Sequence, residues 1–302
     1  MTIRTLITGA GGLVGSALVA HLQSKGQEVI CLTTRDQCDL TIPSDVTSAF
    51  KFVRPSHVYH LAASVYGVGG NLAFPGEVYY RNVLMNTHII ENSKKFNINK
   101  IVVMGSAAMY SDGLQQPMVE SDVMAGVPHN SEFSYAYSKR SMLAQLMAYK
   151  QQYGLEFAFV IATNMYGPKD KFDVNYGHVV PSLLQKFLNA EKDRSLVSVW
   201  GDGSPTRDFL FSSDAAQGLE LIMKSGSGVY NLASGHTHTI KELVIEISKN
   251  FPGVSYNWDI SKPFGQLSRS YDVRKLQALN FVPNFSLSDG VQQTAKWLRL
   301  QS

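Results

Sequence analysis

The feature that most constrains the fold is a turn with regularly spaced glycines, which joins a short apolar run to a helical pattern near the start of the chain. Residues 5–8 are typical of a buried strand, and residues 14–25 have helical periodicity. Gly9, Gly12 and Gly15 give the join the spacing G-x-x-G-x-x-G. A strand that passes through such a turn into a helix predicts the first β–α unit of a parallel sheet.

Short apolar runs and longer helical patterns continue to alternate along the first half of the chain. Strands are predicted at residues 5–8, 28–32, 57–61, 100–105 and 156–162, and helices at residues 14–25, 44–52, 83–96 and 134–152. Apolar strands joined by helices form parallel sheets that are covered on both faces. The expected fold class is therefore α/β, with a doubly wound parallel sheet of the Rossmann type.

Composition and charge exclude several classes of protein. The chain has 302 residues, of which 44% are hydrophobic, and a formal net charge of +3 from interspersed Lys and Arg. It has neither a run of about 18 apolar residues nor the layout of a signal peptide, so we expect no membrane contact. Cys31 and Cys38 form no disulfide framework and do not have zinc-site spacing. A cytoplasmic protein that binds no metal and no nucleic acid is expected.

The glycine turn has the properties of a phosphate-binding loop. Gly9 permits the tight turn, Gly12 lets the backbone approach a pyrophosphate, and Gly15 lets the helix pack on the strand. The second strand is followed by Arg35 and Asp36. An arginine here suits the 2′-phosphate of NADP, whereas an acidic residue would hold the 2′-hydroxyl of NAD. Arg35 favours NADPH as the cofactor, and Asp36 leaves NAD open.

The pattern of predicted elements changes after residue 165. Short helices at residues 179–188, 240–250 and 287–298 mix there with loops and short strands. We expect residues 1–165 to form an NADP-binding Rossmann domain, to which a later segment near residues 205–240 returns. Residues 166–302 would then form mainly a smaller C-terminal substrate-binding domain at the carboxyl edge of the sheet, where ligands bind in open α/β folds.

Three residues predict carbonyl chemistry at that edge. Tyr135 and Lys139 lie four residues apart at the start of a predicted helix and so share a face. A nearby ammonium favours the phenolate and is expected to lower the pKa of the tyrosine, as a proton donor to a carbonyl oxygen requires. Ser106 follows a predicted strand, and its hydroxyl could bond the developing alkoxide. Tyr137 has no lysine four residues later, which excludes it from this role.

With these elements the chain resembles the extended short-chain dehydrogenase/reductases and, among them, the GDP-L-fucose synthases. The supporting stretches are residues 58–63, 116–121, 163–168, 177–187 and 199–203, and the resemblance extends over nearly the whole chain. Those enzymes epimerise GDP-4-keto-6-deoxymannose at C3 and C5 and reduce it at C4. The resemblance implies a GDP-sugar substrate, NADPH, and a homodimer in which the helices at residues 83–96 and 134–152 pair.

The resemblance also implies contacts, residue by residue. For the cofactor they are Gly9, Gly12, Leu13, Val14, Arg35, Asp39, Leu40, Leu61, Ala62, Ala63, Asn82, Tyr135 and Lys139. For the nucleotide sugar they are Asn164, His178, Val179, Lys186, Trp200, Arg207 and Arg269. Lys186 stands where the family usually has arginine, and Arg269 where it usually has lysine. The positive charge that suits a diphosphate is kept at both positions, although the hydrogen-bonding geometry differs.

One departure from the family changes the predicted reaction. Epimerisation beside a ketone needs two proton-transfer groups, for which the fucose synthases use a cysteine and a histidine. Ala108 replaces that cysteine here, and Cys31 and Cys38 lie on the adenosine side of the fold. His178 keeps the position of the histidine. We therefore predict a C4-ketoreductase without 3,5-epimerase activity, acting on a GDP-linked 6-deoxyhexose or heptose in surface-polysaccharide synthesis.

Three alternatives share part of this pattern. An NAD-dependent nucleotide-sugar 4-epimerase has the same glycine turn, serine and Tyr-x-x-x-Lys. A bifunctional GDP-L-fucose synthase would need another group in place of the missing cysteine. A redox-sensing NADP-binding protein would not need the proton donor, so the intact set of Ser106, Tyr135 and Lys139 favours an enzyme.

Overall fold

A computed structural model describes residues 4–65, 71–174, 177–261 and 267–302. The strands are β1 (Thr5–Thr8), β2 (Val29–Leu32), β3 (His57–His60), β4 (Lys100–Met104), β5 (Phe157–Ala162), β6 (Asn164–Tyr166), β7 (Val197–Trp200), β8 (Thr206–Phe211), β9 (Gly228–Leu232), β10 (Thr237–Thr239) and β11 (Tyr256–Asp259). The α-helices named here are α1 (Leu13–Ser24), α2 (Pro43–Val53), α3 (Pro75–Lys95), α4 (Phe133–Tyr153), α5 (Val179–Asp193), α6 (Ser212–Ser225), α7 (Ile240–Ser248), α8 (Arg274–Gln277) and α9 (Leu287–Arg299).

Six strands form one parallel sheet in the order β2-β1-β3-β4-β5-β9. The direction of winding reverses between β1 and β3, because β2 lies on one side of β1 and β3 on the other. At such a reversal the loops on the carboxyl edge separate and leave a crevice for a ligand. The predicted α/β fold class with a doubly wound parallel sheet is confirmed.

Alternate side chains of each strand face the two helical layers. Leu6 packs in a core with residues of α2, α3 and α4, whereas Ile7 packs in a second core with residues of α1 and α6. Both residues are fully buried. Because a strand presents successive side chains to opposite faces, this division accounts for the nearly continuous apolar composition of the strands.

Helix α3 begins at Pro75 rather than at the predicted residue 83. Proline is accommodated in the first turn of a helix, where its missing N–H has no partner to lose. The helix therefore begins eight residues earlier than predicted. Across the described ranges, no helix combines the length and apolarity needed to cross a bilayer.

A third core lies after Tyr166 and involves α5, α7 and α9. It is flanked by a three-stranded sheet in the order β10-β8-β6 and by the parallel pair of β11 and β7. The segment predicted to return near residues 205–240 is divided: β8 and β10 lie in the small sheet, whereas α6 and β9 join the large one. The functional division at residue 165 stays a prediction.

Candidate active site

The glycine turn brings backbone from β1 and β3 into close approach. Gly9 has a φ of 70°, and a Cβ on it would lie 2.7 Å from the nitrogen of Ala62. A Cβ on Gly15 would lie 2.1 Å from the oxygen of Gly9. Gly12, which has no side chain, is the N-cap of α1. The turn therefore leaves a cradle of backbone at a helix N-terminus, which fits the pyrophosphate of a dinucleotide.

Two predicted cofactor residues, Arg35 and Asp39, follow β2. Arg35 is exposed, as the ligand of a 2′-phosphate must be. Asp39 Oδ1 accepts hydrogen bonds from the nitrogen and the hydroxyl of Thr41 at 2.9 and 2.7 Å, and these bonds lower the pKa of Asp39, to which the charge of Arg35 adds. The neighbouring Leu40 is buried and accepts a bond from His88 at its backbone oxygen.

Asn82 lies beneath the end of β3 with both ends of its amide engaged by Ser64. Its Oδ1 accepts from the Ser64 nitrogen at 2.9 Å, and its Nδ2 donates to the Ser64 oxygen at 3.0 Å. Leu61, Ala62 and Ala63 lie half-buried between this pair and β3. The structure thus places Asn82 where it holds the segment after β3, and a direct cofactor contact stays a prediction.

The predicted catalytic pair lies on α4 against the carboxyl end of β4. Lys139 Nζ lies 5.6 Å from the centre of the Tyr135 ring and donates to the Met104 oxygen at 2.8 Å. Lys139 is 1% exposed, and burial lowers its pKa to about 7. Burial, together with the charge of Glu132, raises the pKa of Tyr135. The expected lowering of the tyrosine pKa was wrong, because the cost of burying a phenolate exceeds the effect of the ammonium.

Ser106 follows β4, two residues after the carbonyl that Lys139 binds. Its Oγ accepts from the nitrogen of Ala108 at 3.2 Å and caps a short turn formed by Ala107–Met109. Since that bond uses Oγ as an acceptor, the hydroxyl hydrogen can be donated elsewhere. Ala108 itself is 3% exposed, so a buried methyl group lies at the position where the resemblance implies a catalytic cysteine in the family.

Two of the predicted substrate residues, Arg207 and Arg269, lie close enough to affect each other's charge. Burial and then the charge of Arg269 lower the pKa of Arg207. Arg269 Nη2 lies 3.7 Å from Oδ1 of Asp112 and 3.7 Å from Oε2 of Glu132. Adjacent guanidinium groups attract an anion with more than one charge, such as a diphosphate.

The sequence reasoning did not identify Glu132. This carboxylate pairs with Arg269 and also raises the pKa of Tyr135, which connects the arginines with the predicted proton donor. Its position three residues before Tyr135 was the available signal, since residues three apart share a helix face.

The other predicted substrate residues lie on α5, β6 and β7. Lys186 Nζ lies 5.2 Å from the centre of the Trp200 ring and donates to the Ser198 oxygen at 3.1 Å. Trp200 is 56% exposed. His178 is the exposed N-cap of α5, which Val179 begins. A third position, Asn164 on β6, donates to the Asp208 oxygen at 3.0 Å.

Metal chemistry has no support in the part of the chain that the structure describes. There, His, Cys, Asp and Glu side chains form no group of three that could hold an ion. Cys31 and Cys38 are free thiols, and burial raises the pKa of both. Neither is a ready nucleophile or metal ligand, because both functions need the thiolate.

Comparison with known proteins establishes the family. The model of the NAD dependent epimerase/dehydratase family matches residues 5–233, and the chain belongs to this family of extended short-chain dehydrogenase/reductases. It is 33% identical over 300 residues to probable GDP-L-fucose synthase 1 of Oryza sativa subsp. japonica, covering 97% of this chain and 91% of that protein. The predicted family and its fucose-synthase-like character are confirmed.

Two solved structures are similar over almost the entire chain. The GDP-L-fucose synthetase from Naegleria fowleri bound to NADP has a TM-score of 0.91 at 27% identity, covering 99% of this chain and 94% of that one. MlghC, a GDP-mannoheptose C4 reductase from Campylobacter jejuni with NADP bound, has a TM-score of 0.88 at 25% identity, covering 99% and 98%. The prediction of an oxidoreductase agrees with both.

Proposed function

We propose that this protein is an NADPH-dependent ketoreductase, which reduces the C4 ketone of a GDP-linked 4-keto sugar and has no 3,5-epimerase activity. The observation that carries the proposal is the position of the half-buried Tyr135 and the buried Lys139, which share one face of α4 where Lys139 binds the end of β4, two residues before Ser106. This edge of the sheet also holds the glycine cradle. The arrangement supports a proton donor next to a site for a dinucleotide.

The residues that would hold NADPH come from three segments. The backbone of Gly9–Val14 would hold the pyrophosphate, Arg35 the 2′-phosphate, and Leu61–Ala63 the adjacent wall of the crevice. NADP bound to the two similar solved structures supports this choice of cofactor. When bound, NADPH supplies the hydride that reduces the ketone carbon.

The chain's own residues supply and control the proton. The raised pKa keeps the hydroxyl of Tyr135 protonated, so it can donate its proton to the ketone oxygen as the alcohol forms. Ser106 donates a hydrogen bond to the same oxygen while charge develops on it. Lys139 stabilises the tyrosine phenolate until solvent returns the proton. The proton from Tyr135 completes the alcohol at the ketone oxygen.

The substrate class follows from the charges around the site. Arg207 and Arg269 would bind the diphosphate, and Lys186 on α5 would assist them. The exposed face of Trp200 suits stacking with the nucleotide base. The names of the relatives, a fucose synthase and a mannoheptose C4 reductase, support a GDP-linked 6-deoxyhexose or heptose and a role in surface-polysaccharide synthesis.

The absence of epimerase activity is proposed from Ala108. A methyl group carries no exchangeable proton, so Ala108 can neither remove a proton from the sugar nor return one to it. His178 alone would provide one proton-transfer group where the reaction needs two. Inversion at C3 or C5 therefore has no complete acid–base pair.

The first test follows NADPH absorbance with GDP-4-keto-6-deoxymannose, alone and after a separate 3,5-epimerase has acted. Oxidation of NADPH and an NMR spectrum with unchanged C3 and C5 would support the proposal. A reaction in heavy water should leave C3 and C5 without deuterium, and Ala108→Cys tests whether a thiol introduces exchange. GDP-fucose from this protein alone would instead identify a bifunctional synthase. Turnover on tightly bound NAD would identify a 4-epimerase.

A homodimer through α3 and α4 is also proposed. These helices pack side by side, and the side chains of Tyr80 and Met147 are 64% and 56% exposed on them. A second copy would complete a four-helix bundle and cover both residues. Sedimentation should give a dimer for the wild type and a monomer for the Tyr80→Glu, Met147→Glu protein. An unchanged mass in that variant would place the interface elsewhere.

A further inference from the structure

A hydrogen-bonded network of buried polar side chains links the glycine turn to α4, the helix that carries Tyr135 and Lys139. Thr8 Oγ1 lies 2.8 Å from Nδ1 of His60, and Nε2 of His60 lies 3.0 Å from Oδ1 of Asn86. Asn86 Nδ2 then donates to the backbone oxygen of Ser138 at 3.4 Å. Asn86 is the most exposed of these residues, at only 2%. The network thus extends from β1 through β3 and α3 to α4 without contact with solvent.

The direction of the hydrogen bonds is set at the carbonyl end. Because the Ser138 carbonyl can only accept, the Nδ2 of Asn86 must face it, and Oδ1 must face His60. Nε2 of His60 therefore carries the proton, and Nδ1 accepts from the hydroxyl of Thr8. Thr8 Oγ1 accepts in turn from the nitrogen of Ala62 at 3.4 Å. Each hydrogen bond therefore pairs one donor with one acceptor, from the segment that touches Gly9 to the residue before Lys139.

The surroundings require His60 to stay uncharged in this arrangement. Burial and then the charge of Lys139 lower the pKa of His60 to about 3. A neutral imidazole can bridge Thr8 and Asn86 without placing a second buried cation beside the catalytic ammonium. A polar link of this kind is directional, whereas the apolar packing of α4 on the sheet is not.

We propose that His60 and Asn86 are positioning residues, which fix the Tyr135–Lys139 segment relative to the glycine turn and hence the proton donor relative to the bound cofactor. The proposal rests on the ketoreductase function proposed above. Neither residue contacts the reacting atoms in it. They act because hydride and proton transfer to one carbonyl tolerate only small errors in the distance between the two donors.

The test compares three substitutions in this hydrogen-bonded network with one outside the network. His60→Leu and Asn86→Leu break the network, whereas His60→Gln keeps an amide N–H that can reach Asn86. The control is Ser93→Ala on the same helix α3, where the fully buried Ser93 hydroxyl donates to the Ile89 oxygen at 2.7 Å. The full-length proteins are compared by thermal unfolding, NADPH affinity, single-turnover rate and the isotope effect with NADPH deuterated at the transferred position.

His60→Leu and Asn86→Leu should each lower the single-turnover rate about 100-fold at saturating NADPH, with a larger isotope effect and an NADPH Kd changed less than about threefold. The double variant should lose no more of the single-turnover rate than either single variant, since both substitutions break the same network. His60→Gln should recover about tenfold of the rate, and Ser93→Ala should lose stability but no rate. Leucine variants that behave like Ser93→Ala would overturn the proposal, and the network would then have only a structural role.

A second measurement needs no turnover. Hydrogen exchange of the backbone amides of residues 135–139 with NADP bound reports how firmly this segment is held. Exchange should be about tenfold faster in His60→Leu than in Ser93→Ala, and equal exchange in the two variants would contradict the positioning role. If the wild type oxidises no NADPH with any keto-sugar nucleotide, the ketoreductase proposal fails, and this exchange measurement still decides the role of His60.

Discussion

Two parts of the molecule are held in different ways. We call the end of β4 with Tyr135 and Lys139 the catalytic edge, and the region of Lys186, Trp200 and Arg269 the substrate side. Around the catalytic edge, Lys139 and His60 are almost completely buried, and each is fixed by named hydrogen bonds. On the substrate side, Trp200 and His178 are exposed, and Lys186 donates to the nearby Ser198 oxygen. The comparison indicates that the fold itself fixes Tyr135 and Lys139, whereas the residues proposed to bind the nucleotide sugar include side chains that are open to solvent. Substitutions on the two sides should therefore affect different kinetic constants.

The largest effect is expected at the catalytic edge, from Tyr135→Phe. Removing the general acid should lower kcat about 1,000-fold, while NADPH affinity stays within about twofold, because the ring and its packing remain. Steady-state rates and NADPH fluorescence titration measure the two quantities. Tyr137→Phe, on the same helix and packed on Phe133, is the matched control and should change kcat by less than about threefold. Similar losses in both variants would remove Tyr135 as the donor.

On the substrate side, Arg269→Gln should act through KM. Losing one of two adjacent guanidinium groups weakens the diphosphate contact, and KM for the GDP-sugar should rise about 30-fold, or roughly 2 kcal/mol. NADPH affinity should not change. Arg299→Gln, which breaks an exposed ion pair with Glu191, is the control. A fall in kcat with constant KM would place Arg269 at the catalytic edge, where it already pairs with Glu132.

A smaller effect of the same kind is expected from Trp200→Ala. Stacking of an aromatic side chain on a base contributes about 1–3 kcal/mol, so KM should rise about tenfold with kcat unchanged. Because this side chain is 56% exposed, the melting temperature should stay constant. Val282→Ala, at a site 67% exposed, controls for loss of exposed apolar surface. A drop in stability without a change in KM would assign Trp200 to packing.

The features that the sequence predicted are local, whereas those it missed, apart from Glu132 and the start of α3, depend on residues far apart in the sequence. The glycine turn, the strand–helix alternation and the Tyr135–Lys139 spacing each depend on residues a few positions apart. The hydrogen bonds of His60 with Thr8 and Asn86 join residues far apart in the chain, and no spacing reveals them. The pKa of Tyr135 was predicted in the wrong direction for the same reason, since the sequence does not reveal how deeply a side chain is buried.

The smallest effect sharpens the comparison at Lys139, where function and stability oppose each other. Burial lowers the folded-state pKa of this lysine to about 7, whereas an unfolded lysine titrates near about 10.4. Between these values the unfolded chain binds more protons, so the contribution of Lys139 to stability rises with pH. Below about pH 7 the lysine is protonated in both states and the cost of burying its charge is greatest.

Lys139→Met should therefore abolish activity yet increase the unfolding free energy at about pH 7, by a net amount of about 1 kcal/mol. The gain is limited because the Met104 oxygen loses its donor. Urea unfolding of both proteins should show this advantage shrinking as pH rises toward about 10, because the unfolded wild type then also loses its proton at this position. Lys100, whose pKa burial lowers to about 8, is present in both proteins and cancels in the difference. A pH-independent difference would mean that Lys139 keeps its ordinary pKa in the folded protein, so that the catalytic edge would carry no burial cost for its charge.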